Sequence, residues 1–170
     1  MTSTQSGLRI VRADYDDPVH ARALVAVLDA YACDPMGGGE PLSDYARSHV
    51  VAQLAARPSA VSVLAFVDAP GQASVPVGLV NCMEGFSTFA CRPLLNIHDV
   101  VVLSNWRGRG IGRQLFAAIE AQARDRDCCK LTLEVLEGNI PAQKLYRRLG
   151  FDNYQLDPAM GQAQFMQKWL

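Results

Sequence analysis

No stretch of this 170-residue sequence approaches the ~18 consecutive apolar residues that a membrane-spanning helix needs, so neither such a helix nor a membrane partner is expected. The opening MTSTQSGLRI has no basic start followed by an apolar core, which predicts no secretory signal. Histidine is scarce, and His20, His49 and His98 are too scattered to suggest a metal site. Cys33, Cys82, Cys91, Cys128 and Cys129 include no pair at the spacing of a zinc knuckle or redox motif. Their expected state is reduced and structural, as in a cytoplasmic chain. No long basic run is present, so nucleic acid is not an expected partner.

What is present is the composition of a folded domain. Hydrophobic residues make up 49% and the net charge is only −1, which argues against disorder. The length fits one domain over residues 1–170, with no repeat, low-complexity tract or linker. Charge divides unevenly: five arginines face nine carboxylates in residues 1–90, a net of −4, and residues 91–170 carry +3. An acidic half joined to a mildly basic half suits one cationic and one anionic ligand.

Periodicity orders the elements. Residues 8–12 (LRIVR) alternate as a half-buried strand does. Asp16, Asp17 and Pro18 then mark a helix start, and Leu24, Val25, Val27, Leu28 and Tyr31 recur at helical spacing. CDPMGGGEP, from Cys33 to Pro41, excludes regular structure; a second helix is expected over Ser43–Ala56, ended by Arg57-Pro58. Val61–Asp68 and Pro76–Glu84 read as a β-hairpin, and Leu94–Leu103 as a further strand. Gly110–Arg126 turns helical, Lys130–Val135 alternates as a strand, and Asn139 to Gly150 bracket a last helix. A final strand is expected over Gln164–Leu170. The order β-α-α-β-β-β-α-β-α-β predicts an α+β fold, one mixed sheet with helices on its faces and a parallel crossover between residues 94 and 150.

Leu103–Arg113 (LSNWRGRGIGR), between strand and helix, carries the most chemical information. Gly108, Gly110 and Gly112 alternate there with arginines at 107, 109 and 113. Glycine permits left-handed backbone and close approach to a ligand. The free N–H groups of a helix start favour an anion, and arginine adds fork-shaped donors for phosphate oxygens. Such a loop suits a pyrophosphate; a plain tight turn with solvated arginines is the alternative. It is neither a P-loop nor a G-x-G-x-x-G turn, which disfavours ATP or NAD chemistry.

Arg107-Gly108-Arg109-Gly110-Ile111-Gly112 resembles the Arg/Gln-x-x-Gly-x-Gly/Ala signature of the GCN5-related N-acetyltransferase (GNAT) superfamily. Asn139–Phe151 (NIPAQKLYRRLGF) is similar to a second motif of that family, Asn-x-x-Ala-x-x-Leu-Tyr-x-x-x-Gly-Phe. The likeness is strong over residues 75–170 and holds for the rest only in element order. It implies acetyl-CoA as cosubstrate, with no metal, and a largely antiparallel sheet whose one parallel pair splays apart, helices lying on both faces. Val100, Val101 and Val102 would pair with the pantetheine arm. Backbone amides from Gly108 through Arg109, Gly110, Ile111 and Gly112 to Arg113 would hold the pyrophosphate, beside the Arg107 side chain. Asn139 and Ala142 would line the other side of the arm, and Tyr146 would protonate the leaving thiolate; Tyr146 as a packing aromatic is the alternative.

The implied reaction is direct attack of a neutral amine on the thioester, with a backbone N–H near Val102 polarising the carbonyl. For the base, a neighbourhood of Asp99, His98 and Glu84 is expected rather than one named residue. Imidazole is a side-chain type able to accept an amine proton, which suggests His98, while Asp99 and Glu84 suit a cationic amine, and strict alternation puts the His98 and Asp99 side chains on opposite faces. A structural histidine is the competing reading. Cys82 and Cys91, flanking the expected turn at GFSTF (Gly85–Phe89), read as small, buried and inert. GFSTF itself reads as acceptor-site wall, dimer contact or core cluster. The Asp34–Glu40 loop reads as an acceptor-side lid or a solvated connector.

Leu94–Gly112 looks most like the diamine and polyamine acetyltransferase branch, except that His98 stands where that branch has an acidic residue. A small cationic amine is the expected acceptor; a protein lysine, an aminoglycoside or a non-catalytic CoA-binding module are the alternatives. Homodimers are common in the superfamily, so a dimer is possible here.

Overall fold

A computed structural model describes residues 7–155, 157, 159, 161 and 163–169. The chain divides into two compact units, Met1–Leu133 and Glu134–Leu170. The first holds β1 (Gly7–Arg12), α1 (Pro18–Ala32), α2 (Asp44–Ala55), β2 (Ala60–Asp68), β3 (Val75–Ser87), β4 (Arg92–Val102), α3 (Ile111–Asp125) and β5 (Leu131–Leu133). The second holds α4 (Ile140–Arg148). Helix starts follow the sequence signals: Asp17 accepts from the Val19 N–H, Ser43 from Ala46 and Asn139 from Ala142.

The sheet order is β1-β2-β3-β4-β5. The first four strands form an antiparallel meander, and β5 joins β4 in parallel through the α3 crossover. Cross-strand partners share a face, so the register sorts the core. Leu64, Leu79 and Val101 lie in one row and pack with Leu24, Val27 and Leu28 of α1. The opposite face carries Ala65 and Gly78, against which the α3 residue Leu115 packs; a Cβ at Gly78 would lie 3.0 Å from the Leu115 side chain. Leu115, Phe116 and Ile119 are fully buried, the outcome expected of that amphipathic helix.

Two irregularities set the course of β4. Its pairing with β5 covers only Leu95↔Leu131, Asn96↔Thr132 and Ile97↔Leu133, so among the described residues the strand has an open edge from residue 98 onward. A bulge also interrupts its ladder with β3, where Cys82 opposes Ile97 and Asn81 opposes Asp99. His98 is the extra residue.

Three expectations need correction. The strand read over Lys130–Val135 is only Leu131–Leu133, because β4 supplies no partner beyond Ile97. Residues 164–169 form no strand, and Leu170 lies outside the described residues. Alternating side chains do not make a strand without a ladder, and among the described residues no segment pairs with this one. Cys91, read as buried, is exposed at the β3–β4 turn with φ 49°, and the flanking Phe86 and Phe89 are exposed rather than a core cluster. Among the described residues no helix is long and apolar enough to cross a membrane.

Candidate active site

The turn into α3 has the geometry its glycines suggest. Gly108 and Gly110 have φ of +77° and +78°, and Gly110 is a left-handed N-cap with no side chain to offer. The N–H groups of Ile111, Gly112 and Arg113 therefore lack both an intrahelical partner and a side-chain cap. A Cβ on Gly108 or Gly110 would meet no protein atom within 4 Å. Space and uncapped donors coincide, which fits the pyrophosphate of a CoA molecule. Around them Arg113 is exposed, and the Arg109 guanidinium lies 4.6 Å from the Trp106 ring centre.

Arg107 faces the other way. Its Nε donates to the Val102 carbonyl at 2.9 Å and its Nη2 to Asp34 Oδ2 at 2.9 Å. Asp34 in turn ties up the glycine-rich loop: its carboxylate accepts from the Met36 N–H and its carbonyl from Gly37, Gly38 and Gly39. The Met36 N–H and then the Arg107 side chain hold the Asp34 carboxyl below the usual carboxylate range. The loop read as lid or connector is thus latched to the signature turn.

On β4 the Leu103 N–H donates to the Val77 carbonyl, so Val101 and Asp99 also point their backbone groups at β3. Val100 and Val102 point theirs at the open edge. Of the three valines expected to meet a pantetheine arm, these two lie on the open edge, the Val102 carbonyl already accepting from Arg107, and Val101 instead packs in the core. A cavity of about 300 Å³ lies alongside, lined by Tyr31, Cys33 and Asp34 on one wall and Val101–Arg107 on the other.

The expected Asp99, His98 and Glu84 neighbourhood is not brought together. Glu84 pairs with Leu95 in the register, on the face of Cys82 and Ile97, and its carboxylate accepts from Arg126 Nη1 at 2.7 Å. The bulge turns Asp99 to the other face, where Asn81 Nδ2 donates to it at 3.0 Å. His98, at the bulge, is exposed. Period-two reasoning carries no sign of a bulge and so cannot separate Asp99 from Glu84.

The sequence places Tyr31 only at the helical spacing of α1 and not in a site. Burial, then the charges of Asp99 and Asp34, push its phenol above the usual tyrosine range, so both carboxylates are felt at the cavity wall. Ser62 and Asn81, both buried, were also missed. The available signal was two polar residues inside the apolar strands AVSVLAFVD and VPVGLVNCMEGFS.

In the second unit, Asn139 caps α4 through its side-chain oxygen, 3.3 Å from the Ala142 nitrogen. Ala142 is half-buried. Tyr146 is buried with its ring centre 6.0 Å from that of Phe151, and its carbonyl accepts from the Leu149 and Phe151 N–H groups. Gly150, at φ 89°, closes the helix.

The acetyltransferase (GNAT) family pattern matches residues 24–151, signature turn and α4 motif included. The chain belongs to the acetyltransferase (GNAT) family.

Among its GNAT relatives, streptothricin acetyltransferase from Streptomyces lavendulae is 39% identical over 99 residues, covering 56% of this chain and 52% of the relative. Thialysine N-epsilon-acetyltransferase from Bos taurus is 33% identical over 90 residues, 52% of each. The chain spans about half the length of these curated relatives. The aminoglycoside N-acetyltransferase AAC(6')-Iy, solved in complex with CoA, superposes with a TM-score of 0.73 at 19% identity over 99% of both chains. At that identity the likeness carries the fold. The open parallel pair β4–β5 is the splayed pair expected of a GNAT sheet.

Proposed function

We propose that residues 1–170 act as a single N-acetyltransferase domain that transfers acetyl from acetyl-CoA to a primary amine of a small cationic acceptor. The observation that carries this is the juxtaposition of uncapped α3 amides, open space at Gly108 and Gly110, and the β4 edge left open at Val100 and at the Val102 N–H. The CoA-bound neighbour of the same fold supports it.

Bound acetyl-CoA supplies an acyl group already activated as a thioester. The amides of Ile111, Gly112 and Arg113, with Arg109 and Arg113 nearby, hold its pyrophosphate. Val100 and Val102 pair with the extended arm, and Asn139 and Ala142 border it. An N–H near Val102 polarises the acyl carbonyl. Tyr146 gives its proton to the departing sulfur. Asp99 receives the cationic amine, and His98 takes the proton that the amine must lose. Glu84, already paired with Arg126, is left without a role in transfer.

The acidic first half and the charge of Asp99 near the cavity favour a cationic acceptor over a neutral one. The reduced-cysteine pattern goes with a cytoplasmic setting, and a homodimer, common in the superfamily, is checked by sedimentation.

The test is thiol release from acetyl-CoA with spermidine, putrescine, lysine, thialysine, kanamycin and a histone-tail peptide. Release that depends on a small cationic amine is the expected result. Release with the peptide alone reassigns the acceptor, and failure to bind CoA by calorimetry sinks the proposal.

A further inference from the structure

Ser62, Asn81 and Asp99 are cross-strand partners on β2, β3 and β4, a row of three polar side chains among apolar rows. Ser62 and Asn81 are 1% and 4% exposed, while the rows beside them hold Leu64, Leu79 and Val101. An aliphatic pair would fill that space without burying polar atoms, which is costly unless every atom is satisfied. Here the atoms are satisfied in a single sense. Asn81 Nδ2 donates to Asp99 Oδ2 at 3.0 Å, and Asn81 Oδ1 accepts from Ser62 Oγ at 2.6 Å. The Ser62 hydrogen is thereby used, so the Tyr15 hydroxyl, 2.9 Å away, donates to Ser62 Oγ. Every donor in the chain points toward Asp99.

A flipped Asn81 amide would set its carbonyl against the carboxylate, which only accepts, so Asp99 itself fixes the sense of the amide and the Ser62 and Tyr15 hydroxyls follow it. Among the described residues the Asp99 carboxylate has one hydrogen bond, the one from Asn81. Its second oxygen, Oδ1, has no protein partner there. Its charge acts on Tyr31, which lines the cavity between the end of α1 and the end of β4. An amide cannot pass a proton along such a chain, so the row orients rather than relays.

We propose that Asn81 is a positioning residue that aims the Asp99 carboxylate at the ammonium group of the acceptor, with Ser62 and Tyr15 anchoring the other end of the Asn81 amide. This rests on the acetyl-transfer reading above and adds the residues that set its preference for a cationic amine. The row exists only because the His98 bulge brings Asp99 into register with Asn81.

The experiment measures thiol release by the full chain at saturating acetyl-CoA, with spermidine, lysine and kanamycin as acceptors. Asn81→Leu keeps the branched shape and the number of side-chain heavy atoms and leaves Ser62 the Tyr15 hydroxyl as partner, so neither hydroxyl is left without a partner. It should raise KM for the cationic acceptor about tenfold, the weight of a hydrogen bond to a charged group. The Kd for acetyl-CoA should stay within about twofold, because the row lies away from the α3 turn. Ser62→Ala, a smaller change, should shift KM the same way by less. In an Asp99→Asn background Asn81→Leu should add nothing, since its effect runs through the carboxylate.

An active wild type whose acceptor KM is unmoved by Asn81→Leu, or moved equally in the Asp99→Asn background, overturns the positioning role and leaves the acetyltransferase reading intact. A wild type that turns over none of the three amines overturns the cationic-acceptor reading and this inference together.

Discussion

The Arg107 guanidinium joins two segments 73 residues apart, with Nη2 2.9 Å from Asp34 Oδ2 and Nε 2.9 Å from the Val102 carbonyl. The arginine expected to greet a phosphate is therefore engaged elsewhere, as is one of the two open-edge carbonyls. The ion pair is solvent-exposed, so its strength is modest, up to about 1 kcal/mol. Asp34→Asn keeps the acceptor for the Met36 N–H while releasing Arg107. It should leave acetyl-CoA affinity unchanged or tighten it by up to about fivefold, read by calorimetry. Weaker binding in that variant would mean the latch assembles the site instead of competing with the ligand.

Gly110 separates a ligand role from a turn role. Its φ of +78° makes any Cβ strained, at roughly 1–3 kcal/mol, but the space beside it is empty of protein. Gly110→Val should lower the unfolding free energy by that amount and weaken acetyl-CoA binding by a clearly larger one. Equal losses in denaturation and calorimetry would reduce the glycine to a folding requirement.

Tyr146→Phe retains the ring that sits beside Phe151 and removes only the hydroxyl. Turnover should fall by about 10²-fold or more if that hydroxyl protonates the leaving sulfur, with acetyl-CoA Kd nearly unchanged. Unchanged turnover would hand the proton to water or to another group.

Thiol chemistry should discriminate among the five cysteines. Burial, helped by the charge of Asp99, pushes the Cys82 thiol up to about 12, and it has 1% exposure. At pH 8 an aromatic disulfide reagent should label Cys33 and Cys91 in the native protein and spare Cys82 until denaturant is added. Peptide mapping by mass spectrometry reads the order; early modification of Cys82 would contradict the packing.

Acid should remove a defined part of the stability. Hydrogen bonds from Arg9 and Ser74 hold the Asp68 carboxyl below its usual range, as Met36 and Arg107 do for Asp34. A carboxylate depressed in the folded state stabilises fully above its unfolded pKa, near 4, and loses that contribution as pH falls through the lower folded value. The thermal midpoint should thus decline from pH 5 to pH 2. Asp68→Asn should lie below wild type at pH 7 and converge with it in acid; parallel curves would show that the Arg9 pair is not felt.

Much of the fold is legible in the sequence because its elements carry their own punctuation. Asp17-Pro18, Ser43 and Asn139 cap the helices they were expected to start, and the Gly110 turn begins α3. What is not legible depends on backbone partners. Nothing in KLTLEV says that its ladder ends at Leu133, since that is decided by where pairing with β4 stops, at Ile97. Nothing in NIHDVVV says that Cys82 faces two residues instead of one. The glycines of the site were readable because φ and space are local properties. The direction of Arg107 was not, since Asp34 lies on a remote loop.

The bulge at His98 also fixes how this site tolerates change. Up to Ile97 the backbone groups of odd-numbered β4 residues face β5; beyond it Asp99, Val101 and Leu103 face β3. One inserted residue therefore decides both which sheet face Asp99 occupies and which valines border the gap beside β5. Substituting His98 leaves that arrangement in place. Removing it would close the ladder with Ile97 still against Cys82 and Asp99 still against Asn81, whereas drawing His98 into the ladder opposite Asn81 would turn Asp99 toward α3, so the site depends on that residue staying out of the pairing.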